Sequence, residues 1–100
     1  MKAVLLQRSR VKLGAECFAD IVIWQVPAPV FGSTHRFKYR LALVVEQACV
    51  LRYDNEAGKG DHKHRGACEV PYTFTTLDRL VDDFWADVAR LGGTDDHRDD

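Results

Sequence analysis

A single amphipathic helix at the end of a strand-rich chain most constrains what this sequence can fold into. Apolar residues recur with helical spacing at Leu77, Leu80, Val81, Phe84, Trp85, Val88 and Leu91. A helix with such a stripe buries one face against another layer of structure. Thr75 followed by Asp78 is typical of a helix N-terminus, and Gly92-Gly93 is typical of its end. The helix is therefore expected to cover one face of a sheet.

The segments before the helix have the composition of β-strands. We predict strands over residues 2–7, 17–26, 37–45, 49–54 and 61–70, with a proline-containing loop at 27–34. Trp24 and Trp85 are assigned to the core. The predicted fold class is α+β: an antiparallel meander of about five strands with one C-terminal amphipathic helix packed on one face.

The third and fourth predicted strands form a hairpin with one apolar and one polar face. Alternation along residues 37–45 places Leu41 and Leu43 on the same face. A three-residue loop through residues 46–48 would bring Tyr53 to that apolar face. Arg52 and Asp54 would then lie on the opposite, polar face.

Length and composition indicate one soluble domain. The 100 residues are 46% hydrophobic and 29% charged, which is ordinary for a globular protein. The apolar run after Met1 stops at Gln7, too soon for a secretory signal, and no run approaches the roughly 20 residues of a membrane span. We expect a cytoplasmic protein with a single domain over residues 1–94 and an acidic, disordered tail over 95–100.

The three cysteines do not form a recognisable framework. Cys17, Cys49 and Cys68 are odd in number and widely spaced, and no C-x-x-C pair occurs. This pattern argues against a disulfide scaffold and against a standard zinc knuckle. All three are expected to be buried as small hydrophobic residues.

Charge is distributed unevenly along the chain, although the net charge is only −1. Residues 1–70 hold eleven Lys and Arg against seven Asp and Glu, whereas residues 71–100 hold three against eight. The basic part is compatible with a phosphate-bearing partner, and the acidic part with a basic protein.

Polar side chains are densest in the stretch from Val50 to Tyr72. His62 and His64 lie two residues apart, so on a strand they point to the same face. Histidine gives and takes protons near neutral pH because its unperturbed pKa is about 6.5. We expect His62 and His64 to act as an acid and base pair on a phosphodiester, with Asp54 or Asp61 orienting a histidine.

The same stretch supplies groups that could bind phosphate or RNA. The expected contacts are Arg52, Tyr53, Lys59, Lys63, Arg65 and Tyr72, and the glycines expected to shape the loops are Gly58, Gly60 and Gly66. Cationic side chains stabilise a phosphate oxyanion, and aromatic rings stack on bases. The segment around Lys59 lacks the spacing of a nucleotide-binding P-loop, so it is expected to present that lysine on a flexible turn.

Two other interpretations use the same residues. The donors available to zinc or manganese are His62, His64, Asp61, Cys68 and Asp54. Their spacing matches no closed zinc pattern, and Lys59, Lys63 and Arg65 would repel a cation, so no metal and no cofactor is expected. The histidines could also be solvated residues at the edge of a loop, without a chemical role.

The run from Leu51 to His64 resembles the TumE-like toxin family, as do the G-A-C-E-V-P-Y segment after it and the D-D-F-W-A-D-V segment of the helix. The residues that carry the resemblance are Arg52, Tyr53, Asp54, Asn55, Gly58, Lys59, Gly60, Asp61, His62, His64, Gly66 and Pro71. The resemblance implies a toxin that is bound and neutralised by a cognate helix-turn-helix antitoxin. Relatives tend to have more glycine in the turn where this chain has Glu46-Gln47.

Resemblance and residue chemistry together lead to one functional expectation. We expect the toxin of a toxin–antitoxin system, acting on RNA by metal-independent phosphodiester cleavage. One alternative is a non-catalytic toxin that occupies a host protein or nucleic acid, and another is a metal-dependent nuclease or phosphotransferase. The expected partners are the antitoxin and RNA. No membrane association is expected, and whether the chain forms a homodimer is left open.

Overall fold

Six antiparallel strands and one helix make up the structure, a computed structural model that describes residues 2–91. The strands are β1 Val4–Gly14, β2 Cys17–Gln25, β3 Phe37–Val45, β4 Ala48–Glu56, β5 Gly60–Arg65 and β6 Cys68–Pro71, and the helix α1 is Leu77–Arg90. The strands lie side by side in chain order in one sheet. The predicted α+β meander is confirmed. The helix α1, the one helix within residues 2–91, is not long and apolar enough to cross a membrane.

The core lies between α1 and one face of the sheet, which we call the helix face. Side chains of β2, β3 and β4 that pair across the strands, such as Ile21, Leu41 and Tyr53, share this face. Against them pack Leu80 and Phe84 of α1, both fully buried. Burial of each such side chain contributes roughly 1.5–3 kcal/mol relative to exposure. The predicted apolar stripe of the helix therefore holds the two layers together.

The helix starts one residue later than predicted. Thr76, not Thr75, is the N-cap, because its backbone is still extended (φ −137°, ψ 163°) and its hydroxyl accepts a hydrogen bond from the Arg79 N–H at 3.1 Å. This contact satisfies one of the N–H groups that the first turn leaves unpaired. The expected glycine stop at 92–93 and the acidic tail at 95–100 lie outside the described residues.

Two of the predicted strands differ from the observed ones by more than two residues at one end. β1 continues through Arg8 and Arg10 to Gly14, because these residues stay paired with β2 instead of turning away. The expected strand over residues 61–70 is two strands, β5 and β6. Gly66 adopts φ +59°, and the turn it forms with Ala67 reverses the chain between them.

The turn between β3 and β4 is tighter than the predicted three-residue loop. It consists of Glu46 and Gln47, which both have positive φ, +50° and +70°. A bulge in the pairing of β3 with β4 then sets the register. As a result Tyr53 lies opposite Leu41 on the helix face, as predicted.

The cysteines and one tryptophan are less buried than expected. Cys49 and Cys68 are exposed and Cys17 is half-buried, so the prediction of three buried cysteines is wrong for the first two. Cys49 lies near the exposed start of β4, next to the tight turn, and Cys68 starts the edge strand β6, whose four residues are all exposed. Trp24 is half-buried on the face away from the helix, whereas Trp85 packs against the core as predicted.

The segment between β2 and β3 packs its backbone against the β4–β5 turn. The Gly58 N–H donates a 2.7 Å hydrogen bond to the Phe31 carbonyl. Gly32 and Gly60 approach so closely that a Cβ on Gly60 would lie 2.7 Å from the Gly32 carbonyl oxygen. Gly60 also has φ +74°, which side-chain-bearing residues rarely adopt. Gly58 and Gly60 therefore fix the turn that carries Lys59 against the segment between β2 and β3.

Candidate active site

The sheet separates the polar residues of β4 and β5 into two groups. Side chains that alternate along a strand point to opposite faces, and cross-strand partners share a face. His62 pairs with Asp54, and His64 pairs with Arg52, on the face away from α1. We call this the open face. Lys63 pairs with Tyr53 on the helix face.

Asp54 and His62 form the buried floor of the site on the open face. The Asp54 Oδ1 and His62 Nε2 atoms lie 2.9 Å apart, and only 4% of the His62 side chain is exposed. The other ring nitrogen, Nδ1, lies 3.1 Å from the Gly60 carbonyl oxygen. That carbonyl can only accept, so it assigns the ring proton to Nδ1 in the neutral tautomer.

His64 and Arg52 extend the site away from this floor. The rings of His62 and His64 meet edge to face, with centroids 4.9 Å apart. The Arg52 Nε lies 3.0 Å from the second Asp54 oxygen, Oδ2. The structure thus brings together four of the predicted site residues on adjacent strands.

Glu69 belongs to the same group, although the sequence pattern places it elsewhere. Its Oε2 atom lies 3.5 Å from His62 Nε2 and 3.6 Å from His64 Nε2. A continuous strand over residues 61–70 would put Glu69 on the helix face, but the turn at Gly66 places it opposite His64. The signal that could have revealed it is that glycine itself, read as a turn.

Lys59 closes the site from the β4–β5 turn. Its Nζ lies 3.1 Å from Glu69 Oε2. The charge-assisted hydrogen bond between them raises the pKa of Lys59 and lowers the pKa of Glu69. A depression of about 310 Å³ lined in part by Lys59, His62 and Glu69 lies here. We call the set Arg52, Asp54, Lys59, His62, His64 and Glu69 the open-face cluster.

Four other predicted site residues lie on the helix side and do not join this cluster. Lys63 and Arg65 contact the Asp87 carboxylate, at 3.0 Å and 3.5 Å. The Tyr53 hydroxyl donates to the same carboxylate, and the Tyr72 hydroxyl donates to Asp83 at 2.6 Å. Burial, followed by these hydrogen bonds, raises the pKa of both tyrosines. These four side chains therefore lie on the face opposite His62 and His64.

Asp61 is likewise separate from the two histidines that it was expected to orient. Its carboxylate accepts hydrogen bonds from Ser33 Oγ at 2.7 Å and Tyr39 Oη at 2.6 Å, and it lies 2.7 Å from His35 Nε2. The His35 Nδ1 accepts from the Phe37 N–H, so Nε2 carries the proton and donates to Asp61. Asp61 therefore ties the β2–β3 segment to β5.

The open-face cluster holds an unusual set of unsatisfied atoms. Arg52 Nε, Asp54 Oδ1, His62 Nε2 and His64 Nε2 are buried, and none makes a well-aligned hydrogen bond within residues 2–91, although Arg52 and His62 both lie within ion-pair distance of Asp54. Asp54, His62 and His64 each offer one donor atom, and these three atoms all lie within 4.8 Å of one another. Buried polar atoms without an aligned partner are rare in folded proteins and are often found at functional sites.

Comparisons with known proteins give one positive finding. A family model described as Toxin TumE matches residues 3–91 of the chain. No curated protein and no solved structure matches it. The matched range includes all six strands, the helix and every residue of the open-face cluster.

Proposed function

Because this chain belongs to the TumE toxin family, we propose that it is the toxin of a toxin–antitoxin pair and that it cleaves RNA at the open-face cluster. The observation that carries the proposal is the meeting of two imidazoles with a buried carboxylate and two cations on one exposed sheet face. Proton-transfer groups next to phosphate-binding cations are what phosphodiester cleavage needs.

RNA is favoured as the substrate by the rest of the open face. The basic residues that the strand register places on this face are Arg8, Arg10, Lys12, Lys38, Arg40 and Arg52. Trp24 lies among them, half-buried, beside Lys38 and Arg40. Cations that follow a phosphate backbone, together with an aromatic ring for a base, are typical of single-stranded nucleic-acid binding.

The burial of His62 bears on how the histidines would work. An acid and base pair must reach the two sides of one phosphate. Only 4% of the His62 side chain is exposed, and its Nε2 atom is directed at Asp54. His64 is more accessible, with 23% of its side chain exposed. The low exposure of His62 therefore argues against a mechanism in which His62 and His64 each act alone on the phosphate. It favours a mechanism in which the residues of the open-face cluster act together.

The test is incubation of the purified chain with total RNA. We expect the wild-type chain to give RNA fragments and His64→Asn to lose cleavage at least about a hundredfold. Arg65→Gln is the matched control, because Arg65 adjoins His64 on β5 but points to the helix face. It should cleave like the wild type.

Two outcomes would contradict the proposal. One is the absence of RNA fragments from a folded wild-type chain that still arrests growth, which would support a toxin that acts by occupancy. The other is full toxicity of a folded His62→Asn, His64→Asn double variant. Circular dichroism on each variant establishes that it is folded.

A further inference from the structure

We infer that Asp54, His62 and His64 bind one divalent transition-metal ion. Each of the three residues offers one donor atom, and these atoms lie within 4.8 Å of one another; Asp54 Oδ1 and His62 Nε2 are 2.9 Å apart. Two imidazole nitrogens and one carboxylate oxygen suit first-row ions such as Zn²⁺ better than Mg²⁺, which prefers oxygen ligands. A site with three protein ligands keeps a position open for water or substrate.

The unsatisfied atoms are the first support. The Gly60 carbonyl accepts from His62 Nδ1, so the Nε2 lone pair faces the Asp54 carboxylate oxygen at 2.9 Å. Two acceptors at that distance repel each other unless a positive charge lies between them. A proton on Nε2 would supply that charge, but neither atom makes a well-aligned hydrogen bond within residues 2–91. A metal ion would supply the positive charge between the two acceptors without an N–H group aligned with the carboxylate.

The surroundings of these atoms are the second support. A metal-binding histidine almost always donates its other ring N–H to a carbonyl or carboxylate, which fixes the ring. His62 Nδ1 has such a partner in Gly60. The second oxygen of Asp54, Oδ2, forms an ion pair with Arg52 Nε at 3.0 Å, so Oδ1 remains available to the ion.

Charge near the site also permits a cation. Three cations expected to repel a metal are Lys59, Lys63 and Arg65, and two of them lie on the other side of the sheet against Asp87. The third, Lys59, is paired with Glu69. Asp54, Glu56 and Glu69 surround His62 Nε2 at 2.9 Å, 3.5 Å and 3.5 Å. With Arg52 and Lys59 as the cations of the cluster, these three carboxylates leave a net negative charge around His62 Nε2.

A small rearrangement is needed before the three donors can hold one ion. In a tetrahedral zinc site with ligand atoms about 2.0–2.2 Å from the ion, the ligand atoms lie roughly 3.3–3.6 Å from one another. Asp54 Oδ1 and His62 Nε2 are 2.9 Å apart and must separate slightly, while the donor of His64 must move to within this range of both. Glu69 lies within 3.6 Å of both imidazole nitrogens and could provide a fourth ligand.

Metal binding is tested directly on the full chain by calorimetric titration after treatment with chelator. The background carries Cys49→Ser and Cys68→Ser, because both thiols are free and exposed and an exposed thiolate is itself a zinc ligand. We expect one Zn²⁺ per chain, a rise in Tm with Zn²⁺, and no binding of Mg²⁺ at the same concentrations. The variants His64→Asn and Asp54→Asn should each weaken Zn²⁺ binding about tenfold or more, since even the loss of a supporting residue costs 10–100-fold.

Arg65→Gln is again the control and should bind Zn²⁺ like its background. Failure of the folded background chain to bind Zn²⁺, or equal affinity in His64→Asn and Arg65→Gln, would overturn the inference. Binding does not depend on the proposed RNA cleavage. A chain that binds Zn²⁺ but cleaves no RNA would refute only the proposed function, and RNA cleavage by a chain that binds no Zn²⁺ would refute only the metal site.

Discussion

The Tyr53 hydroxyl donates a 2.5 Å hydrogen bond to Asp87 Oδ2 and so joins the middle of the sheet to the last turn of α1. Lys63 Nζ reaches the same oxygen at 3.0 Å, and Arg90 contacts the other one. Asp87 itself is fully buried. One buried carboxylate therefore fixes the position of the helix over the sheet.

Stability should fall in acid through Asp87. Burial alone would raise the pKa of this carboxyl, but hydrogen bonds from Tyr53, Arg90 and Lys63 outweigh it and lower the pKa from 3.8 to about 2. A depressed folded-state pKa contributes stability that is present above about pH 4 and is lost as the pH falls through about 2. The contribution at neutral pH is about 2 kcal/mol.

Urea unfolding between pH 2 and 7 measures this contribution. Asp87→Asn should be less stable than the wild type at neutral pH, and the difference should narrow by about 2 kcal/mol as the pH falls. Asp82→Asn, at an exposed position of the same helix, should show no such narrowing. A difference for Asp87→Asn that stays constant with pH would contradict the expectation.

A methyl group at position 60 should be costly for two separable reasons. Gly60→Ala forces a side chain into φ +74° and places its Cβ 2.7 Å from the Gly32 carbonyl oxygen. We expect a loss of about 2–3 kcal/mol in the free energy of unfolding. Gly66→Ala is the matched control, since φ is +59° there but nothing lies within 4 Å of the added Cβ. It should lose about 1 kcal/mol, and equal losses would show that the contact with Gly32 costs nothing.

The tight turn between β3 and β4 should accept a stabilising substitution. Glu46 and Gln47 have φ +50° and +70°, the backbone of a type I′ turn, which Asn-Gly adopts with least strain. Glu46→Asn with Gln47→Gly should raise the free energy of unfolding by about 1 kcal/mol, measured by chemical denaturation. Gln47→Ala keeps the Cβ and should give no gain. A gain of the same size from alanine would point to the lost side chain, not the backbone.

Asp61 and Asp54 should respond differently to the same change of carboxylate to amide. Asp61→Asn weakens contacts to Ser33, His35 and Tyr39, so we expect it to lose about 2–3 kcal/mol of stability. RNA cleavage and Zn²⁺ affinity per folded molecule should stay unchanged. Asp54→Asn should lose both. Loss of Zn²⁺ binding in a folded Asp61→Asn chain would place this carboxylate in the site after all.

Much of the open-face cluster follows from local rules. A strand alternates its side chains with a period of two, and a short turn pairs β4 with β5, so Asp54 meets His62 and Arg52 meets His64. The same rule separates His62 from Lys63, which lies on the helix face. These relationships need only the two strands and the turn between them.

The remainder depends on contacts that no local rule supplies. The sequence prediction missed Glu69 as a site residue. A shift of one residue in a strand moves every later side chain to the opposite face of the sheet, and the turn at Gly66 produces such a shift. The partners of Asp61 come from residues 33–39, more than 20 positions away along the chain. The ion-pair partner of Lys63 is Asp87 on α1. The position of that helix over the sheet is set by tertiary packing.

The division of the sheet into a helix face and an open face has a genetic consequence. If cells that express the toxin are selected for survival, inactivating missense mutations in its gene should fall into two phenotypic classes. Changes at positions such as Phe84 or Asp87 should remove the protein from the soluble fraction, whereas changes at His64 or Arg52 should leave it abundant and harmless. Neighbouring codons, such as those for Lys63 and His64, would then belong to opposite classes, so the spectrum of survivors would alternate along β5.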